Sequence, residues 1–249
     1  LKASAGHDEL AEARKAAKKY LVNASAATGS GVLGVMPSAW PINRFEQSFM
    51  LHVLLLADLL THPALQTVVT RQLDDLQSAL TPAGIGFSDY FMPDGDDTAA
   101  AIAVLNMAGR RLPAKALSLY QHDAHFSTFP FELHSSITVT SRATQALAIS
   151  GVSVRQWRKA IVDAQHDSGW WIGDKWNVSR LYSTCLALAA LQSAGYDSAK
   201  EAARKAILNS QHPSGGWGIG HETIPVETAF ALLSLQILER DGFNDPITH

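Results

Sequence analysis

The sequence is poor in the features that usually give a function away. It has one cysteine, Cys185, so an internal disulfide framework is impossible, and a lone thiol fits a reducing compartment such as the cytoplasm. Charge of one sign is not in excess either. Twenty Lys and Arg against 23 Asp and Glu leave a net charge of -3, and outside the Lys15 to Lys19 region the bases are scattered. No nucleic-acid partner is expected from that balance. The most apolar run, Phe49 to Leu60, is too short to cross a bilayer and is broken by His52 and Asp58, so no integral membrane segment is expected. No leader pattern of charge followed by an apolar run opens the chain. The chain begins at Leu1 rather than Met, which leads us to expect a processed, truncated or excised piece. Strand-like alternation of useful length is missing as well.

What is present is an apolar chain with internal repeats. At 249 residues and 47% hydrophobic it can bury the core of one large domain or two small ones. The segments beginning at Thr98, Thr140, Thr184 and Thr228 superimpose as four nearly wholly apolar copies, spaced by 42, 44 and 44 residues. Ser48 to Leu59 is a looser fifth copy. Each copy reads as a buried helix, because apolar residues fill its whole circumference. Amphipathic segments such as Arg155 to Gln165 and Ala199 to Gln211 lie between the copies and read as outer helices. One inner and one outer helix per repeat stacks into a solenoid or closes into a double ring. Inner helices that are apolar all round favour closure, so the expected fold class is all-α, an α/α barrel.

Upstream, residues 8 to 22 read as a helix with acids early and bases late, followed by a loop to Ser38. We therefore divide the chain into a leading segment, 1–38, and a barrel, 39–249. Helices are expected over Arg44 to Leu60 and about Ala64 to Leu80.

The stretch with the most chemistry is Met92-Pro93-Asp94-Gly95-Asp96-Asp97-Thr98, three carboxylates within four residues just before an apolar helix. Two readings stand side by side. Asp is a preferred N-cap and Asp-Gly is ordinary turn chemistry. Crowded carboxylates also hold a proton to unusually high pH, which makes a Brønsted acid. A second shared feature is the loop Gln165 to Trp171, paired with Gln211 to Trp217. There the Gln amide is expected to bond the turn backbone while the indole packs on the next helix.

Gln-x-x-x-Gly-x-Trp loops in a helical repeat, together with an Asp-x-Asp-Asp-Thr turn, resemble the class II terpene cyclases, the bacterial and fungal relatives of copalyl diphosphate synthase. Trp40 to Glu46, Phe131 to Thr140, Asp174 to Thr184 and Glu227 to Leu233 agree in the same order. The resemblance implies the α/α barrel called the β domain, and an isomerase that protonates the terminal alkene of a prenyl diphosphate and keeps the diphosphate. Geranylgeranyl or farnesyl diphosphate would become a bicyclic labdane- or drimane-type diphosphate. Asp96 is then the proton donor, with Asp94 and Asp97 as partners. In the family an Asn or His usually hydrogen-bonds the acid. Here the corresponding position is Thr140, a possible buttress, followed by Arg142 where Asn or His is also common in the family.

Candidates for the substrate-facing wall are Tyr90, Phe91, Phe129, Phe131, Trp170, Trp171, Trp176 and Tyr182. Lys175, Arg180, Arg110 and Arg111 are candidates for the diphosphate. Magnesium would bridge to the diphosphate, with no ligand identifiable in this chain. Family members close their cavity against a second helical domain, γ, for which 249 residues leave no room. The alternative reading is accordingly a non-catalytic module, or an isolated β domain that needs a γ partner. Class I ionisation finds no support, since Asp74-Asp75 lacks a downstream acid. No zinc constellation or separated acid pair points to other α/α-barrel enzymes.

Overall fold

The copies led by Thr98, Thr140 and Thr184 form helices buried around almost their whole circumference, the copies at Ser48 and Thr228 bury one broad face each, and the segments between copies bury a single stripe. The structure is a computed structural model that describes residues 42–220 and 222–243. The helix expected over residues 8–22, the loop to Ser38 and the start of the Trp40 to Glu46 motif lie outside the described residues. The elements are α1 (Asn43–Leu56), α2 (Gln66–Ala79), α3 (Gly95–Met107), α4 (Ile137–Ile149), α5 (Arg155–Asp163), α6 (Arg180–Leu191), α7 (Asp197–Asn209) and α8 (Pro225–Arg240). Short 3-10 turns span Pro63–Leu65 and Ala114–Leu119, and a two-residue hairpin pairs β1 (Gly218–Ile219) with β2 (Glu222–Thr223).

Helices α1, α3, α4, α6 and α8 form the inner ring, each packed on the next in that order. In α3 every residue from Asp97 to Leu105 is buried, as is every residue of α6 from Leu181 onward. By contrast α2 buries only Val69, Leu73 and Leu76, and α5 only Trp157 and Ile161, the spacing of one outward-shielding stripe. The ring closes where α8 meets α1: Gln236 donates to Ala57 O (3.4 Å), Arg240 donates to Leu56 O (3.2 Å), and Arg240 pairs with Asp58 (2.5 Å).

Helix α1 ends four residues before the expected Leu60. Asp58 turns left-handed (φ 57) and the Leu59 N–H folds back onto Leu54 O (2.8 Å), which terminates the helix. Gly109 and Gly151 make the same stop after α3 and α4 at φ 80 and 78, a backbone region that glycine enters without strain. The stretch between α3 and α4 departs from the repeat, with a 3-10 turn introduced by Pro113 in place of an outer helix.

The repeated threonine has a physical reason. Thr98, Thr140, Thr184 and Thr228 each lie just inside an inner helix, and each hydroxyl accepts the backbone N–H of a residue in the incoming segment. The donors are Ile85 (3.0 Å), Phe126 (3.0 Å), Trp171 (3.2 Å) and Trp217 (2.9 Å) respectively. One side chain per repeat thus ties the entering chain to the helix that it becomes. The Gln-Trp loops add a second tie. Gln165 donates to Gly169 O and Ala199 O (2.9 Å each), and Gln211 donates to Gly215 O (2.7 Å). The Trp171 and Trp217 indoles donate to Ile161 O (2.6 Å) and Ile207 O (2.8 Å).

Candidate active site

All inner-helix N-termini lie at one end of the barrel, joined by hydroxyl-to-acid bonds that step from one repeat to the next. Ser136 donates to Asp174 (2.6 Å) in the segment leading to α6, and Ser179 donates to Glu227 (2.9 Å) on α8. Ser48 on α1 donates to Asp97 on α3 in the same way. The acid turn sits within this belt.

The three acids have separate fates. Asp94 is the N-cap of α3 and accepts the Asp97 N–H (2.8 Å), so the capping reading of the turn holds for this residue. Asp97 is engaged by Ser48. Asp96 remains. Its Oδ2 accepts from the Arg142 guanidinium (2.8 Å), and its Oδ1 is buried with no hydrogen-bond partner among the described residues. Burial pushes all three carboxyls above the ordinary carboxylate value. For Asp94 the charge of Asp97 adds to that effect, and for Asp97 the charge of Asp96 does. For Asp96 the Arg142 cation opposes burial and Asp174 reinforces it.

Arg142 is 1% exposed and links the acid to α6, donating to the Tyr182 hydroxyl (2.7 Å). Its guanidinium lies 5.8 Å from the Phe49 ring centre and 5.7 Å from that of Tyr182. Those two rings and Phe230 make a continuous aromatic file, with centroids 6.4 Å apart for Phe49–Tyr182 and 4.9 Å for Tyr182–Phe230. One turn below Ser48, His52 is buried and bonds Gln145 across the barrel (2.7 Å). Burial, and then the Arg142 charge, lower its pKa to about 3, so it is neutral.

The structure brings only part of the expected set together. Thr140 is not a buttress of Asp96: its hydroxyl serves Phe126 and Ser136 O (2.7 Å) as the clamp of its repeat, and Arg142 takes the place against the acid. Trp171 is a buried clamp rather than a wall, and Trp170 is covered by the Arg180 guanidinium, 4.6 Å from its ring centre. Lys175 is committed to Glu132 (2.6 Å) and His134 O (3.0 Å), and the Trp176 indole donates to Thr128 (2.6 Å). Arg110 pairs with Asp74 (2.6 Å) on the outer helix α2. Of the proposed wall, Tyr182 is tied to the acid through Arg142, whose guanidinium bonds both its hydroxyl (2.7 Å) and Asp96 (2.8 Å). Tyr90 and Phe131 stand out at 81% and 97% exposure, beside the less exposed Phe91, on the segments leading into α3 and α4.

Phe49 and Phe230 escaped the reading from motifs, and Arg142 was noted beside Thr140 without a role. It occupies the second position after the repeat threonine, where the other copies carry Ala100, Leu186 and Phe230. A cavity of about 640 Å³ lined by Arg155, Arg158 and Tyr196 opens at the other end of the helices. It shares no residue with the acid cluster, and Arg158 is spent on Ala190 O (2.8 Å) and Gln192 O (3.3 Å). Among the described residues no group of three or more His, Cys, Asp or Glu is placed to hold a metal ion. Among the same residues no helix is long and apolar enough to cross a membrane.

Both sequence and fold place the chain with the class II terpene cyclases. Among particular relatives, (+)-kolavenyl diphosphate synthase of Herpetosiphon aurantiacus is 48% identical over 92% of this chain. The chain spans 44% of that relative's length. The solved ent-copalyl diphosphate synthase of Streptomyces platensis superimposes with a TM-score of 0.74 at 28% identity, over 91% of this chain and 44% of that one. A type II terpene cyclase from Scytonema shares the fold at a TM-score of 0.73 and 16% identity, over 94% of this chain and 74% of its own. No family model matches the sequence.

Proposed function

We propose that the chain is the acid-bearing barrel of a class II diterpene cyclase, and that Asp96 is its proton donor. The observation that carries this is the division of labour in the turn: Asp94 caps, Asp97 is held by Ser48, and of the three only Asp96 keeps a buried oxygen without a partner among the described residues. In the reaction, the proton on Asp96 passes to the less substituted carbon of the terminal alkene of geranylgeranyl diphosphate. The alkene π electrons form the new C–H bond and leave a tertiary carbocation. Successive alkenes of the chain attack it and close two rings, and a proton is then lost to a base. The diphosphate stays attached and no electron is gained or lost. The carboxylate left on Asp96 is stabilised by Arg142 (2.8 Å), and the file of Phe49, Tyr182 and Phe230 provides π faces that do not trap the cation. Farnesyl diphosphate is the shorter substrate that the same chemistry would accept.

A second reading, in which the barrel works only against a partner domain, is favoured by its rim. Tyr90, Phe131, Leu133, Trp176 and Val178 are exposed on three successive segments at the acid end. Apolar side chains concentrated in that way mark a surface that is normally covered. The relatives' additional length is the natural cover, and the two readings are compatible.

The test is to incubate the chain with geranylgeranyl or farnesyl diphosphate and magnesium, remove the phosphates, and search for cyclic alcohols. The assay is run alone and with the polypeptide that supplies the rest of the relatives' length. Asp96→Asn should lower turnover about 100- to 10,000-fold at unchanged helicity. Unchanged turnover would refute the assignment of the acid, and product in neither arm would refute the cyclase reading.

A further inference from the structure

Arg142 is fixed from several sides at once. It is 1% exposed, it donates to Asp96 Oδ2 (2.8 Å) and to the Tyr182 hydroxyl (2.7 Å), and it lies against the faces of Phe49 and Tyr182. We propose that Arg142 is a positioning residue that sets the acid strength of Asp96, acting as a permanent cation rather than as a neutral or titrating hydrogen-bond partner. This rests on the reading of Asp96 as the proton donor.

The groups around the pair leave Arg142 to supply the positive charge. From α3 it faces Asp94, Asp96 and Asp97, and from α6 Tyr182 and Cys185, while Asp174 in the segment before α6 bears on Asp96. From α1 it faces His52, which burial and Arg142 itself keep neutral, and Ser48 is already bonded to Asp97. From α8 the Phe230 ring packs on Tyr182, and Glu227 is bonded to Ser179. Guanidinium does not deprotonate in the working range, so the charge beside the acid is constant.

A constant cation has two opposed consequences. It makes Asp96 a stronger acid and stabilises the carboxylate left after proton transfer. It also lowers the pH up to which the proton is still present. Without the cation, Asp96 would hold its proton to a higher pH and deliver it less readily. Turnover on the plateau should then fall while the alkaline limb of the pH profile moves up. Partial unfolding cannot produce that pair of changes.

The experiment follows the Asp96 carboxyl by 13C NMR titration, its signal identified by its loss in Asp96→Asn, and compares it with the pH profile of turnover. In Arg142→Gln the Asp96 midpoint should rise by about 1 to 3 pH units. If half of that change appears in the rate, the plateau should fall about 3- to 30-fold. Arg142→Lys and Tyr182→Phe both keep a cation, and their midpoints should stay within about half a unit of wild type. Should Arg142→Gln fail to fold, Arg142→His serves in its place, with the Asp96 midpoint rising only above the pH at which the imidazole loses its charge. A midpoint that stays put in Arg142→Gln, or in Arg142→His above that pH, overturns the inference, as does a fall. The titration needs no turnover. A chain that titrates as described yet makes no product refutes the proton-donor reading, whereas one that cyclises with an unmoved Asp96 midpoint refutes only the role given to Arg142.

Discussion

Replacing Gly95 with Ala tests whether the acid turn is positioned by the loop behind it. Gly95 opens α3, and its N–H donates to Thr128 O (2.7 Å). A Cβ at this position would stand 2.5 Å from Ser127 O and 3.1 Å from the Tyr120 ring. The carbonyl has little room to yield. The Gln121–Phe126 bridge and the Thr140 clamp on Phe126 pin that loop. On helix propensity alone the change should stabilise by roughly 0.5 to 1 kcal/mol. Overpacking against backbone costs about 1 to 3 kcal/mol, and a strained or broken buried N–H bond about 1 to 3 more. The unfavourable terms win by about 3 kcal/mol, which in a domain of this size lowers Tm by about 6 to 12 °C. The relief available is to move the first turn of α3, which carries Asp96. A displacement approaching 1 Å lowers turnover about 100-fold. Thermal melts and product assays on Gly95→Ala check both numbers. Gly109→Ala is the control: it meets open space but sits at φ 80, so it should lose about 1 to 2 kcal/mol and no turnover. A Gly95→Ala chain as stable and as active as wild type would refute the idea that this loop fixes the acid.

Other outcomes follow from the same contacts. Thr184→Val removes the acceptor of the Trp171 N–H (3.2 Å), and denaturant titration should show a loss of about 1 to 3 kcal/mol with turnover unaffected. Asp94→Asn keeps an N-cap of equal quality while removing a titrating group. In the wild type, burial and then the Asp97 charge raise the folded-state pKa of Asp94 above its ordinary 3.8. The stability this lends is full below that value and declines as pH rises through the folded-state pKa. The Tm of Asp94→Asn relative to wild type should therefore climb with pH, and a pH-independent difference would show that Asp94 is not held protonated.

The inner ring was legible because its helices are apolar on every face, a pattern that survives in a bare string of letters. The four copies led by Thr98, Thr140, Thr184 and Thr228 mark α3, α4, α6 and α8 to within a few residues. Amphipathic Arg155 to Gln165 and Ala199 to Gln211 likewise mark α5 and α7. The acid turn was legible for the same reason, since three carboxylates before an apolar helix need no neighbour to be noticed. What the letters could not supply was the sharing of work inside that turn. Asp94, Asp96 and Asp97 differ only in what each oxygen meets, and Ser48 and Arg142, 49 and 46 residues away in the chain, decide it. The same holds for aromatic residues: Trp171 looks like a wall until its indole is found on Ile161 O, and Phe49 looks like core until it is found beside a buried guanidinium. Periodicity is a property of neighbours along the chain, so the sequence alone settled which segments are helices and which of them are inner. Proton affinity is a property of neighbours in space, and that only the closed ring could decide.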